Sequence, residues 1–226
     1  MLLVVHIPKT AGTSLRLALQ QSFGLSRIAR DYGPQSDFTT HAVRRHMYEN
    51  PAKHSARDLV RELEGSGYAA LVGHFPYSKY GKFFKGDRVI AFVREPLERA
   101  CSEYVHRMNE KTIEGSIEDF IETPKFQNLQ SRALMGAADQ VFVGITENYR
   151  SSLGIINQRL DLSIKHRRDN PGFGGGGKRL RKRLDPAIVQ HFYELNEEDV
   201  RLYETALNQF NQAKSAAPSI LSRFGM

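Results

Sequence analysis

Four short apolar runs, Leu2 to His6, Ala69 to Gly73, Arg88 to Val93 and Gln140 to Ile145, alternate with longer segments of helical period. Apolar runs of this length, bounded by turn or polar residues, are strands, and Leu162 to Lys165 is a weaker fifth. Helical patterns fill the gaps: Ser14 to Phe23, Ser55 to Gly65 with Asp58 three residues after a Ser cap, Pro96 to Asn109, Ser116 to Glu122 and Asn148 to Leu160. Two more follow, about Asp185 to Leu195 and Asn196 to Ala213; the second has a stripe of Tyr203, Ala206, Leu207 and Phe210, with Asn196 and Asp199 placed as a cap pair. Strand alternating with helix predicts an α/β fold around a parallel sheet.

With 226 residues, 40% hydrophobic and 25% charged, the chain is expected to form one domain, residues 1–226, and disorder, collagen and coiled-coil arrays are excluded. Its single cysteine, Cys101, forms no internal disulfide and builds no thiolate zinc site, which points to a cytoplasmic protein. Cys101 falls in the apolar stripe Leu97, Ala100, Cys101, Tyr104, Val105 and Met108, so it reads as a core residue rather than a nucleophile. The opening MLLVVHIPKT has a four-residue apolar run before His6 and Pro8, too short for a signal-peptide core or a membrane span.

Basic residues outnumber acidic ones by 32 to 25, and the stretch from Lys165 to Arg183 alone holds eight basic residues against one acidic, Asp169. The excess is therefore local. It suits an anion site, or else a solvated basic loop, better than a nucleic-acid-coating face. Pro171 to Gly177, PGFGGGG, reads as a flexible loop leading into it. Asp31 to His54 has no clean period, carries His41, His46 and His54, and is a long connection of the kind that holds substrate contacts.

The segment LLVVHIPKTAGTSL is a strand running through a Lys-Thr-Ala-Gly-Thr-Ser turn into a helix. A helix start offers unpaired N–H groups and partial positive charge, and Gly12 permits close backbone approach of an anion. Lys9, Thr10, Thr13 and Ser14 add one cation and three hydroxyls, so the loop is suited to a phosphate or sulfate. The G-x-x-x-x-G-K-[ST] pattern is missing, because Lys9 precedes Gly12 and no glycine opens the loop, which disfavours an ordinary nucleoside triphosphatase.

HIPKTAGTSL resembles the 5'-phosphosulfate loop of sulfotransferases that use 3'-phosphoadenosine 5'-phosphosulfate (PAPS), and VIAFVREPLERACSEYVH resembles their 3'-phosphate motif. The resemblance continues through VGHFPYSKYG, FQNLQSRALMG and VFVGITENY, and is nearest to the branch containing heparan sulfate 2-O-sulfotransferase and small bacterial sulfotransferases. It implies a three-layer α/β fold, P-loop nucleotide-kinase-like, with the helices flanking the sheet. The loop Lys9, Thr10, Ala11, Gly12, Thr13 and Ser14 would hold the 5' end of the donor, and Arg94 with Ser102 its 3'-phosphate. Ala11 stands where a Gly is common and Glu95 where Asp is usual. Arg94 also lies at a strand's C-terminal end, where open α/β sheets bind ligands; the other use of its charge is pairing with Glu95, Glu98 or Glu103 on the helix.

Transfer to an acceptor hydroxyl needs a base near neutral pKa and charge stabilisation at the bridging oxygen, for which Lys9 is the candidate. His74, after the strand Ala69 to Gly73, matches the base in a Gly-His stretch of that branch; His41 and His46 are the alternatives. The resemblance further implies that Lys178 and Arg179 close over the 3'-phosphate, although the same charges suit an acidic acceptor, and that Thr146 and Glu147 lie near the adenine. His6 is read as orienting the loop. Phe75, Tyr77, Tyr80, Phe83 and Phe84 are either an acceptor platform or core. No metal-ligating pattern is present in the sequence, and no metal is expected. The acceptor expected is a carbohydrate or small molecule; a P-loop kinase and a non-enzymatic anionic-polymer binder are the competing readings.

Overall fold

The computed structural model describes residues 1–49, 54–137, 141–166 and 175–216. Along the chain run β1 (Leu2–Val5), α1 (Gly12–Phe23), β2 (Ile28–Asp31), α2 (His41–Arg44), α3 (Ala56–Gly65), β3 (Ala70–Gly73), α4 (Tyr77–Tyr80) and β4 (Val89–Val93). Then follow α5 (Pro96–Asn109), α6 (Ile117–Glu122), α7 (Leu129–Leu134), β5 (Phe142–Ile145), α8 (Tyr149–Leu160), α9 (Gly175–Arg181), α10 (Pro186–Leu195) and α11 (Glu197–Ala216). The strands form one sheet in the order β2-β3-β1-β4-β5, parallel at every pairing.

Both faces of this sheet are covered, which is why its inner strands are almost continuously apolar. Leu2, Val4, Ala70, Val72, Ile90 and Phe92 face Leu15, Leu19, Leu153 and Ile156 of α1 and α8. The alternate residues Leu3, Val5, Leu71, Val89 and Ala91 pack with Leu59 and Leu63 of α3, Leu134 of α7 and Phe210 of α11. A third cluster joins Leu97, Ala100 and Cys101 of α5 to Phe120, Phe126 and Phe192. Cys101 is accordingly core, whereas the stripe of α5 surfaces toward its end, with Met108 exposed. Phe75, Tyr77, Tyr80 and Phe84 belong to the core under the sheet rather than to a platform.

Three local differences from the sequence expectation have physical causes. Leu162 to Lys165 forms no strand, because the Asn157 side chain takes both the N–H of Ile164 (2.9 Å) and its carbonyl (2.8 Å). Residues 171 to 174 lie outside the described residues, but Gly175 to Gly177 are the first turn of α9 and not a loop. They pack: a Cβ on Gly177 would stand 2.9 Å from the Ser102 nitrogen, and one on Gly176 would stand 2.8 Å from Val105. Asn196 and Asp199 cap a different helix from their own. Asp199 accepts from the amides of Gln130 (3.2 Å) and Ser131 (2.7 Å), Asn196 accepts from Asn128 (2.9 Å), and Asn128 returns a bond from the Asp199 amide (3.1 Å). The starts of α7 and α11 thus satisfy each other's orphan N–H groups.

The edge strand β2, IARD, carries two charges and was not legible as an apolar run. Its Asp31 is buried and receives Lys79 (2.7 Å), Tyr48 (2.6 Å) and Tyr80 (2.7 Å). Burial alone would raise its pKa, but these hydrogen bonds outweigh it and hold the carboxyl below the usual range. Replacing Asp31 by Asn leaves the Lys79 ammonium without its counter-charge, and a loss of about 3–5 kcal/mol is expected by urea unfolding at pH 7. Because the wild-type carboxylate loses its advantage on protonation, that gap narrows as the pH falls below about 4.

Candidate active site

The order of the strands creates the site. β1 and β4 are neighbours, but the chain leaves β1 toward β2 on one side and β4 toward β5 on the other, so a crevice opens at their C-terminal ends. It is a cleft of about 460 Å³, lined by His6, Pro8, Lys9, Ala11 to Ser14, His74, Arg94 and Thr146, along α5 by Ser102, Glu103, His106 and Arg107, and just past its end by Glu110 and Thr112. The volume is in the range of small-ligand and cofactor sites.

The turn after β1 is held in a strained form. Lys9 (φ 67°) and Ala11 (φ 66°) are both left-handed, at a cost of about 1–2 kcal/mol each for residues with a Cβ. Thr10 between them points inward: its hydroxyl donates to the Ile7 carbonyl at 2.8 Å and is buried, so it closes the turn and offers nothing to a ligand. Ala11 is the N-cap of α1 and supplies no side-chain cap, and the amides of Gly12, Thr13 and Ser14 have no hydrogen-bond partner among the described residues. An anion at this end of the cleft completes the helix start. Gly12 has a role beyond backbone approach, since a Cβ there would lie 1.8 Å from Cδ2 of His6.

Arg94 is fixed at its backbone by Gln130 of α7, which accepts from its N–H (2.8 Å) and donates to its carbonyl (2.9 Å). Its guanidinium pairs with Glu98 at 3.1 Å and reaches the Lys9 carbonyl at 3.5 Å, joining the two halves of the cleft. Glu95 caps α5 through the amides of Leu97 (3.2 Å) and Glu98 (2.8 Å), with Pro96 at the first helical position. Ser102 lies two turns along α5 and lines the same cleft. Glu147 does not line it; it accepts from the Glu95 amide at 3.0 Å and so braces the tip of β4. Thr146 does line it, with a buried hydroxyl that has no partner.

His74 emerges from the end of β3, exposed to the cleft, with its ring against His6 (4.4 Å between centroids) and Tyr32 (4.8 Å). Crowding by the surrounding protein lowers its pKa, with Glu103 opposing, so the imidazole is neutral at pH 7 and able to accept a proton. Lys9 is likewise lowered by burial; Glu103 and Glu110 pull it up and Arg94 pushes it down. His41 and His46 are not in the cleft, and His46 is bound to Glu62 at 2.7 Å on the outer face.

Of the residues on and just after α5, Glu103 was named only as a partner for Arg94, and His106, Arg107 and Glu110 were not placed in the cleft. They continue the face of Ser102 at three- and four-residue steps, a polar stripe opposite the apolar one and visible in the sequence by the same spacing. Of the basic stretch, residues 167 to 174 lie outside the described residues. Lys178 and Arg179 are exposed on α9 and do not line the cleft; Arg181 of that helix does not line it either, but lies 3.1 Å from Glu98, the carboxylate paired with Arg94. Among the described residues no cluster of three or more His, Cys, Asp or Glu is placed to hold a metal ion, and no helix is long and apolar enough to cross a membrane.

No protein-family model and no curated protein sequence matches the chain. Among solved structures it is similar to the mouse sulfotransferase SULT7A1 complexed with PAP, at 15% identity over 95% of this chain and 88% of that one, with a TM-score of 0.51. It is also similar to a sulfotransferase from Alicyclobacillus acidocaldarius, at 16% identity over 91% of this chain and 95% of that one, with a TM-score of 0.51. The likeness extends over nearly the whole chain and establishes the fold: a P-loop-like sulfotransferase fold with helices on both faces of a parallel sheet.

His6 gives a measurable handle on the cleft. Its Nδ1 lies 3.0 Å from the Tyr32 hydroxyl, and burial, then the charges of His74, Arg16 and Lys9, lower its pKa to about 3. The unfolded chain protonates this histidine near pH 6.5 while the folded one does not, so its contribution to stability is complete above that pH and lost below it. Compared with His6→Gln, the wild type is expected to lose about 1.4 kcal/mol per pH unit between pH 6.5 and 4, read from urea midpoints.

Proposed function

We propose that the protein is a PAPS-dependent O-sulfotransferase. The observation that carries the reading is that a cation-bearing, uncapped helix start and an Arg-Ser pair meet in one cleft, beside a neutral histidine. The fold shared with the two sulfotransferases, one of them complexed with PAP, supports it. In this reading the free amides of Gly12 to Ser14, the hydroxyls of Thr13 and Ser14, and Lys9 hold the 5'-phosphosulfate. Arg94 and Ser102 grip the 3'-phosphate, and Arg is suited to a phosphate dianion through its planar fork.

His74 takes the proton of the acceptor hydroxyl as its oxygen attacks sulfur. A new O–S bond forms, the bond from sulfur to the bridging oxygen breaks in line, and Lys9 offsets the charge that grows on that oxygen. Positioning and electrostatics carry the reaction, as in phosphoryl transfer. His6, against His74 and against Gly12, fixes the distance between base and loop. The Gly73-His74 pair, resembling the heparan sulfate 2-O branch, and a lining with few apolar residues support a carbohydrate hydroxyl as acceptor.

Calorimetry tests the donor site. 3'-Phosphoadenosine 5'-phosphate is expected to bind at least about 100-fold more tightly than adenosine 5'-phosphate, and Arg94→Ala is expected to erase most of that difference, given charge-assisted bonds of about 1.5–3 kcal/mol each. Equal binding of the two nucleotides would refute the reading. With an acceptor found by radiolabelled sulfuryl transfer to a panel of glycans and phenols, His74→Ala is expected to lower kcat by about 10²–10⁴-fold. The acid limb of wild-type kcat/KM should fall below pH 6.5, in line with the lowered pKa of His74. Activity within a few-fold of wild type would place the base elsewhere.

A further inference from the structure

The arginine assigned to the 3'-phosphate already has a carboxylate at its side. Arg94 Nη2 lies 3.1 Å from Glu98 Oε2, and both side chains are about 85% buried, at 14% and 15% exposure. A carboxylate in this place opposes a phosphate dianion, because two anions then compete for one cation in a partly desolvated setting. The opposition is relieved from a distant part of the chain. Arg181 of α9 places its Nη1 3.1 Å from the other Glu98 oxygen and 3.6 Å from Glu95.

Packing, and not this charge alone, puts Arg181 there. Gly177 lets α9 lie directly on the backbone of α5 at Ser102 and Gly176 lets it lie on the Val105 side chain, and side chains at either position would collide. Glu95 has other partners, the amides that it caps and the Tyr193 hydroxyl at 2.8 Å. Glu98 has the two arginines, one on each oxygen. Arg94 spends one N–H on Glu98 and makes one long contact with the Lys9 carbonyl, so part of its five-donor fork remains for the cleft.

We propose that Arg181 is a positioning residue of the 3'-phosphate site: it neutralises Glu98, which then orients Arg94 without competing for it, and it makes no contact with the phosphate itself. The proposal rests on the reading of the cleft as the donor site. Without Arg181 the whole charge of Glu98 falls on Arg94 and the pair closes against the ligand. Arg181 therefore acts on the 3'-phosphate through Glu98, and its effect requires that carboxylate.

A double-mutant cycle tests this, with binding of 3'-phosphoadenosine 5'-phosphate and of adenosine 5'-phosphate measured for wild type, Arg181→Gln, Glu98→Gln and the pair. Arg181→Gln is expected to weaken the 3'-phosphorylated nucleotide on the order of tenfold and the other less than about twofold. In the Glu98→Gln background the same change should cost less than about twofold. Arg181→Lys, which keeps a charge on Glu98, should recover most of the affinity, and thermal melts confirm that each variant is folded. An undiminished loss in the Glu98→Gln background would make Arg181 a direct phosphate ligand and overturn the proposal, as would wild-type affinity in Arg181→Gln. If the wild type itself shows no preference for the 3'-phosphate, the donor-site reading fails, and the role of Arg181 falls with it.

Discussion

The cleft depends on the parallel pairing of β1 with β4, in which Leu3 lies beside Val89 and Val5 beside Ala91. That register brings the turn at Lys9 and the arginine at residue 94 to the same edge of the sheet, although 85 residues separate them. Because the two strands send their connections to opposite sides, no crossover covers this edge and it stays open. β3, on the other flank of β1, contributes its last residue's successor, His74, to the same opening. Three strand tips thus deliver a cation, a guanidinium and an imidazole. Strand register sets where the three tips lie, and the left-handed turn at Lys9 and Ala11 sets where the lysine stands beside them.

Within this frame the charges are arranged in opposition rather than by sign. Lys9 and Arg94 stand on the sheet side, while Glu98, Glu103 and Glu110 stand along α5. Glu103 is buried, with one oxygen on Arg107 at 2.6 Å and the other without a partner. Such a balance offsets repulsion between the cations of the cleft.

Much of this was legible in the sequence. The strands that build the cleft are fully buried and short, so their apolar runs could be read, and the loop and Arg94 stand next to those runs. α5 was placed at Pro96 to Asn109 because Pro96 and the alternating stripe mark its ends. Elements stabilised by side-chain contacts remote in sequence were not legible. β2 carries Arg30 and Asp31 and depends on Lys79 and Tyr80; α7 depends on Asp199; α9 looks like a loop because its glycines serve close packing against Ser102. For a related reason the direction of the Thr10 hydroxyl is not legible, since a hydroxyl in such a turn can face outward or, as here, donate to the turn itself. The polar face of α5 was overlooked because attention to the buried stripe hides the stripe opposite.

The mutual capping of α7 and α11 bears on how the molecule is assembled in time. Asp199 secures the start of α7, and α7 carries Gln130, whose amide clasps the backbone of Arg94 from both sides. A chain emerging from the ribosome acquires β1 and β4 early, but the group that anchors α7 lies 69 residues beyond Gln130. Asp199 is therefore made only after β5, the last strand of the sheet, has been synthesised. The backbone of Arg94 is clasped by a secured α7 only once α11 has been made and has docked. A chain that stops short of α11 consequently contains all five strands but lacks the contacts that secure α7 beside Arg94.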